Sequence, residues 1–258
     1  MITDTRFRIK KEIESKGPQR PAELVRAIGI SPQALHRHLK AMVEQGVLVI
    51  QGKPPKTWYA LAGVADFSNA FKWIEKKTVQ ESPRDRVCET RDVLMARLGS
   101  LKNLIREGLS ASELPLLIAT VGEIGNNSFD HNLGQWRDVP GCWFEVQATG
   151  NHLWVCLADR GQGIYRSLSK ANVDIKSEQV ALETAFEKFV SGRSPEKRGN
   201  GLKFVKQTIL GECDRGIACI SGSGAIQYGS WGRECEVVLR NRFSKVQGTI
   251  TLMAWRLG

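Results

Sequence analysis

The segment from Leu114 to Asn132 constrains the fold of this chain more than any other stretch. An apolar run leads into V-G-E-I-G-N-N-S-F-D-H-N, Ser112 is a good N-cap, and Pro115 is tolerated in the first turn of a helix. One set of residues repeats at helical spacing and predicts a buried stripe: Leu117, Val121, Ile124 and Ser128. The pattern predicts a helix that packs on a hydrophobic core.

A second face of this helix carries oxygen-bearing side chains. Glu123, Asn127 and Asp130 are spaced i, i+4 and i+7, so they share one side of the helix. Two carboxylates and an amide suit a hydrated Mg²⁺ and its phosphates. Gly122 and Gly125 each cost the helix about 1 kcal/mol relative to Ala, and that cost is easier to accept where a ligand lies against the backbone. An exposed polar face at a helix end explains this stretch equally well.

Three further motifs follow this helix along the chain. The strand-like run 152–158 ends in D-R-G-Q-G at 159–163, R-G-N-G-L-K at 198–203 opens another apolar helix, and G-T at 248–249 precedes the apolar run 250–255. Glycines in such turns let the backbone bend sharply and approach a ligand closely. Because Asp-Gly turns also serve ordinary hairpins, no one of these motifs is specific alone.

Together, the four motifs resemble the Bergerat fold of the GHKL superfamily, which includes gyrase, the heat-shock chaperone ATPase, histidine kinases and MutL. E-I-G-N-N-S-F-D is similar to its N box, D-R-G-Q-G to the first glycine box, R-G-N-G-L to a shortened second box, and G-T to its late strand motif. The resemblance spans residues 114–255. It implies an α/β two-layer sandwich, with a mixed sheet and helices on one face, that binds ATP and Mg²⁺. The family often doubles its second box as G-x-G-L-G-L, so the single G-x-G here leaves the details of phosphate binding open.

The resemblance also implies roles for individual residues. Glu123 would orient or deprotonate the attacking hydroxyl, and Asn127 would hold Mg²⁺. Asp159 would accept a hydrogen bond from the adenine amino group, and Thr249 would lie near the water network around adenine. Residues 164–198 would form a lid over the phosphates. The other implied nucleotide-binding residues are Asp130, Gly161, Gly163, Gly199, Gly201 and Lys203. Of these, Lys203 would contact phosphate or simply be solvated.

The apolar runs of this region predict its secondary structure. We expect strands at Cys142–Gln147, Leu153–Ala158, Ile217–Ile220, Glu234–Arg240 and Thr249–Trp255, and helices near Glu178–Val190 and Leu202–Leu210.

Residues 1–62 carry a separate signal in their charge. They hold 11 Lys and Arg against 5 Asp and Glu, a net +6, whereas the other 196 residues carry only +4. Three short helical segments are followed by a basic hairpin around residues 52–56. This pattern resembles a winged helix-turn-helix domain, and S-P-Q-A-L-H-R-H-L-K-A-M-V-E-Q-G-V-L is close to that family's recognition-helix pattern. The charge indicates a polyanionic partner.

The third helix of this domain is predicted to enter the major groove of DNA. Its predicted outward face consists of Gln33, His36, Arg37 and Lys40. Gln33 and Arg37 can reach base edges, where Gln suits adenine and Arg suits guanine. Lys40, Lys53 and Lys56 are predicted phosphate contacts. The alternative is a winged helix used for protein contact or dimerisation. A two-fold DNA site would fit a homodimer.

We therefore expect a winged helix at 1–62, a helical connector at 63–110 and an ATP-binding domain at 111–258. The six cysteines form no C-x-x-C pair, which favours buried, reduced thiols in a cytoplasmic protein. No apolar run reaches the ~18 residues of a membrane span, so we expect no membrane association.

Two functions from different classes fit these features. The first is a DNA-bound, ATP-responsive transcriptional or signalling regulator with Mg-dependent ATPase activity. The second is a serine/threonine protein kinase resembling the anti-sigma-factor kinases, which would phosphorylate a protein partner. A nucleotide-free scaffold is a third possibility, against which Glu123, Asn127 and Asp159 argue.

Some family members are disfavoured. No histidine lies between residues 63 and 120, so the chain lacks the phosphoacceptor of a histidine kinase there. Only three residues follow Trp255, so we expect no later domain that supplies a catalytic lysine.

Overall fold

The computed structural model describes residues 2–16, 18–45, 47–51, 55, 57–61, 63, 65–104, 108–110, 112–170, 175–187, 201–212 and 214–257. The chain divides into two compact units. The amino-terminal unit comprises residues 1–63 with 148–152, and the carboxy-terminal unit comprises residues 64–147 with 153–258. Lys53, Lys56 and Gly199 lie outside the described residues.

The amino-terminal unit has three helices followed by a two-stranded hairpin. The elements are α1 (Ile2–Lys16), α2 (Pro21–Ile28), α3 (Pro32–Glu44), β1 (Leu48–Gln51) and β2 (Trp58–Leu61). The strands are antiparallel, with Leu48 opposite Leu61. A bridge between Gln19 and Tyr59 adds a short third segment to the hairpin.

Local sequence signals set the turn between α2 and α3. Gly29 ends α2 with a φ of 73°, a left-handed conformation that glycine adopts without strain. Ser31 caps α3, since its side chain accepts a hydrogen bond from the Ala34 backbone N–H at 3.2 Å. Pro32 occupies the first helical turn. The three helices and the hairpin share one small core: Ile9, Ile13, Leu24, Ile28, Leu35, Leu39, Met42, Leu48 and Tyr59.

The carboxy-terminal unit is built on a six-stranded sheet. Its strands are β3 (Val87–Cys88), β4 (Cys142–Thr149), β5 (His152–Asp159), β6 (Arg215–Gly222), β7 (Gly224–Gly229) and β8 (Val246–Arg256). Their order across the sheet is β3-β4-β5-β8-β6-β7. Antiparallel pairing joins β3 to β4, β6 to β7 and β6 to β8. Strand β8 lies between β5 and β6, and the Thr249 backbone N–H near its start donates to Asp159 at the end of β5.

The helices of this unit are α4 (Ser68–Glu75), α5 (Arg91–Leu104), α6 (Glu113–Asp130), α7 (Gly163–Lys170), α8 (Glu178–Glu187), α9 (Gly201–Leu210) and α10 (Gly232–Arg240). Four of them, α5, α6, α8 and α9, share a core with one face of the sheet. Leu153, Val155 and Leu157 of β5 belong to this core, together with Leu117 and Val121 of α6. The predicted combination of helices with a sheet is confirmed at this level.

Helices also cover the second face of the sheet, where none was expected. Trp154 alternates with Leu153 and Val155 along β5, so its side chain points to the opposite side of the sheet. There its ring meets that of Trp231, which precedes α10, at 5.6 Å between centroids. The expectation of helices on one face only is therefore wrong. All eight residues of β5 are buried, and such a strand needs cover on both faces.

The segment 234–240 is part of α10 and not the predicted strand. Its apolar residues Cys235, Val237 and Leu239 alternate as they would in a strand. In the structure Cys235 and Leu239, four residues apart, are buried, whereas Val237 is 47% exposed. The face of α10 that carries Cys235 and Leu239 packs on the sheet, and Val237 faces outward.

Candidate functional site

Helix α6 presents the two faces that its sequence predicts. Leu117 and Val121 are fully buried, and Ile124 and Ser128 are nearly so. Glu123, on the other face, is exposed. The cap of the helix differs from expectation, because the Glu113 N–H donates to the Ser110 hydroxyl at 3.2 Å and Ser112 makes no side-chain cap.

Gly125 of α6 accommodates another helix and not a ligand. A Cβ at Gly125 would overlap the side chain of Leu94 in α5, and one at Gly122 would lie 3.6 Å from Leu98. Asp130, half-buried, forms an ion pair with Arg91, also in α5. The close approach of α5 thus explains Gly125, and it corrects the interpretation that a ligand lies against the backbone there.

Glu123 lies beside the beginning of α9. A Cβ added at Gly201 would overlap the Glu123 carboxylate, so the two predicted motifs meet in space. Lys203 follows in the first turn of α9 and is half-buried, as is Asn127, one turn after Glu123 in α6. The structure therefore brings the helix motif and the second glycine motif together.

Asp159 ends β5 inside a dense set of hydrogen-bond donors. The carboxylate is 5% exposed. Its Oδ1 accepts from the Gly161 N–H at 2.9 Å and from Asn132 Nδ2 at 3.1 Å, and its Oδ2 accepts from the Ser128 hydroxyl at 3.4 Å. The Thr249 backbone N–H is a fourth donor. A carboxylate has about four lone-pair sites, so these donors match its capacity.

Burial has an electrostatic consequence for this carboxylate. Removal from water raises the pKa of Asp159 to about 6, and the surrounding hydrogen-bond donors oppose that rise. Asp159 is therefore an acceptor that the fold keeps ionised near neutral pH at a cost in free energy.

A second ring of contacts fixes the strand ends around Asp159. The Ser221 hydroxyl accepts from the Ile164 N–H at 2.9 Å and donates to the Gly248 carbonyl at 3.1 Å. The Thr249 hydroxyl donates to the Ser221 hydroxyl oxygen at 3.3 Å. Gly163, with a φ of 79°, makes the turn into α7. Asp159, Gly161, Gly163 and Thr249 are thus gathered at one end of the sheet.

Arg160, within the first glycine motif, has a structural role. Its guanidinium is fully buried and donates to Asp138 at 2.8 Å. It also donates to the carbonyls of Trp73, Ile74 and Lys76, at 2.6, 3.2 and 2.9 Å. Its bonds to Asp138 hold the pKa of that carboxyl well below the usual range. Arg160 therefore fastens the end of α4 to the sheet.

Three residues of this site were not predicted as ligand-binding or supporting groups: Ser128, Asn132 and Ser221. Ser128 was assigned only to the buried stripe of α6. Small polar residues among apolar ones, as in S-F-D-H-N and C-I-S-G, are the available signal. The sequence does not reveal which strand end they face.

The amino-terminal unit presents the predicted face of α3. Gln33, His36, Arg37 and Lys40 are all exposed. His38 is half-buried, and burial, followed by the charges of Arg6 and Arg37, lowers its pKa. The outward set is therefore available to a partner, while Lys53 and Lys56 fall outside the described residues.

The described part of the chain contains no group of three or more His, Cys, Asp or Glu residues placed to hold a metal ion. Mg²⁺ bound with a nucleotide needs only one or two protein ligands, and the oxygens of Glu123 and Asn127 are of the right type. The five described cysteines are buried free thiols, and burial raises the pKa of Cys219 to about 12. None of the described helices is long and apolar enough to cross a membrane.

Comparison with known proteins identifies one region. Residues 1–51 match the family model of a helix-turn-helix domain, which confirms the helix-turn-helix part of the prediction and indicates a DNA-binding regulator. None of the curated proteins matches the chain. The resemblance of residues 114–255 to the GHKL superfamily stays a prediction.

Proposed function

We propose that this protein is a nucleotide-responsive, DNA-binding regulator. The amino-terminal unit binds duplex DNA through α3. The carboxy-terminal unit binds ATP with Mg²⁺, with the base at Asp159 and the phosphates toward Glu123 and α9.

The DNA-binding half is supported by the helix-turn-helix match and by the exposed face of α3. In such domains the second helix of the motif lies in the major groove. Arg37 and Gln33 are long enough to read base edges, whereas Lys40 contacts a phosphate and holds the register. The net charge of +6 over residues 1–62 supplies the attraction to the DNA backbone.

The nucleotide-binding half is carried by one observation, the buried acceptor at the end of β5. An ionised carboxylate only accepts hydrogen bonds, so Asp159 selects a donor such as the exocyclic amino group of adenine. Keeping this carboxylate ionised under burial costs free energy. Strongly perturbed groups of this kind concentrate at functional sites.

The proximity of Glu123 to Gly201 supports the placement of the phosphates near the start of α9. The first turn of α9 has backbone N–H groups without partners inside the helix, and such groups attract anions. Lys203 adds positive charge in the same turn. When bound, Mg²⁺ neutralises phosphate charge, and the amide oxygen of Asn127 would be its protein ligand.

Titration calorimetry with Mg²⁺ and ATP tests the nucleotide half directly. Parent protein should bind ATP, and Asp159→Asn should bind at least about tenfold more weakly, because the amide presents a donor to the adenine amino group. Glu145→Gln is the matched control, since Glu145 is also a buried strand carboxylate, 5% exposed, whose partners are Arg86, Trp143 and Gln147.

Inosine triphosphate provides a second control from the ligand side. It lacks the amino group that Asp159 would recognise, so the parent should discriminate against it, and Asp159→Asn should lose that discrimination. Equal affinity of parent and Asp159→Asn for ATP would remove this half of the proposal.

Fluorescence anisotropy with labelled duplex DNA tests the response. The DNA affinity of the full chain should change when Mg²⁺ and ATP are added, and Asp159→Asn should abolish that change. If Mg²⁺ and ATP do not change the DNA affinity of the parent, the protein binds DNA but lacks the proposed response to nucleotide.

A further inference from the structure

The side chain of Asn132 lies directly beside the Asp159 carboxylate. It is 4% exposed. Nδ2 donates to Asp159 Oδ1 at 3.1 Å and to the Ser128 carbonyl at 3.0 Å, while Oδ1 accepts from the Gln162 N–H at 3.1 Å. The amide lies against Gly161, where a Cβ would overlap it. Asn132 therefore fills the space over the glycine.

The amide of asparagine displays the same polar pattern as one edge of adenine. Adenine offers an amino donor next to a ring-nitrogen acceptor, and Asn132 offers Nδ2 as donor next to Oδ1 as acceptor. The Asp159 carboxylate and the Gln162 N–H are the groups that satisfy this pair. A base using Asp159 would need the same two partners.

The hydrogen bonds of Asp159 leave no spare position for a further donor. Two of its donors, the N–H groups of Gly161 and Thr249, belong to the backbone, and Ser128 is fixed within α6. Asn132 lies after the end of α6, in the turn 131–135, so its side chain can rotate away without unwinding the helix. Among these four donors, Asn132 is the one that can yield at the lowest structural cost.

We propose that Asn132 is an internal competitor of the nucleobase, which closes the base site until a nucleotide displaces it. The inference rests on the proposed nucleotide function and adds a residue that sets its affinity. The free chain is then divided between closed and open states. The apparent Kd for the nucleotide then equals the Kd of the open state divided by the fraction of molecules in that state.

A competitor and a positioning residue predict opposite changes in ATP affinity when Asn132 is removed. If Asn132 merely held Asp159 in place for the base, its removal would weaken binding. As a competitor, its removal tightens binding, because the open state no longer has to break the Asn132 hydrogen bonds.

The test is titration calorimetry of Mg²⁺ and ATP into parent, Asn132→Ala and Asn132→Ser at pH 8. That pH keeps Asp159 ionised after one of its donors is lost. Both variants should bind about tenfold more tightly than the parent, the scale of one hydrogen bond to a charged group. Asn69→Ala, an exposed asparagine of α4, is the control, and urea denaturation verifies that each variant is folded.

NMR spectroscopy of the parent keeps the test independent of variant folding. The side-chain amide signals of Asn132 are assigned by their loss in Asn132→Ser. Their chemical shifts should move to values typical of solvent-exposed amides when Mg²⁺ and ATP saturate the protein. Unmoved signals in a saturated parent overturn the inference.

The two levels of the proposal fail differently. Unchanged or weaker ATP binding in both Asn132 variants, with binding lost in Asp159→Asn, refutes the competitor role and leaves the nucleotide function standing. Absence of ATP binding in parent and Asn132 variants alike refutes the nucleotide function itself, and the competitor role with it.

Discussion

The buried carboxylate of Asp159 should impose a characteristic pH dependence on the stability of the fold. Burial raises its pKa from 3.8 to about 6, so in this range the folded state binds the proton more tightly than the unfolded state. By linkage, the contribution of this group to stability is fully present below pH 4 and is lost as pH rises through 6. Asp159→Asn removes the titration.

The difference between 3.8 and about 6, at about 1.4 kcal/mol per pH unit, amounts to on the order of 3 kcal/mol. The substituted amide also loses some of the four hydrogen bonds, but that loss does not change with pH. The free energy of unfolding of the parent, minus that of Asp159→Asn, should therefore fall by on the order of 3 kcal/mol between pH 4 and pH 8.

Urea denaturation of both proteins at closely spaced pH values and constant ionic strength measures this difference. Because the other titrating groups are common to both proteins, their contributions cancel when one curve is subtracted from the other. A difference that stays constant across this pH range, or that rises with pH, refutes the assignment of a raised pKa to Asp159. The Asp159 carboxyl group would then have the ordinary pKa of an aspartate.

Three further predictions concern residues with distinct roles. Glu123→Ala should leave ATP bound but lower any phosphate release or transfer by about 10²–10⁴-fold, whereas Asn127→Ala should weaken Mg²⁺-ATP binding as well. Equal turnover in Glu123→Ala and parent would contradict the catalytic role of Glu123, and ATP binding without any turnover in the parent would make the domain a sensor. Arg160→Ala should lower the free energy of unfolding by about 3–5 kcal/mol in urea denaturation, because it leaves buried acceptors without their donor, and a loss below 1 kcal/mol would contradict its structural role. In anisotropy titrations, Arg37→Ala should reduce sequence preference by about 1–3 kcal/mol while Lys40→Ala weakens all duplexes alike; identical effects of the two variants would count against base reading.

Local patterns in the sequence were sufficient for several features. The spacing of Leu117, Val121 and Ile124 predicted which face of α6 is buried, since helical periodicity depends only on neighbours along the chain. Ser31, Pro32 and the helical spacing of Leu35, Leu39 and Met42 predicted α3 in the same way. Asp159 was correctly placed at the end of a strand because an apolar run stops there.

Features that depend on contacts between distant segments could not be obtained in this way. Segment 234–240 fits a strand or a helix equally well by its apolar spacing. Only packing on the second face of the sheet makes it α10. Gly125 of α6 is likewise explained by the proximity of Leu94, which no local pattern encodes.

The candidate site illustrates the same division. The sequence by itself supplied the chemical types, a carboxylate at a strand end, a polar helix face and glycines near both. The tertiary structure decided that Asn132 and Ser128 converge on Asp159, and that Glu123 meets Gly201. These pairs are 27, 31 and 78 residues apart along the chain, and only the packing of α6 and α9 against the sheet brings them together. The sequence gives the chemical type of each residue directly, whereas the partners of a buried polar group depend on how the whole unit packs.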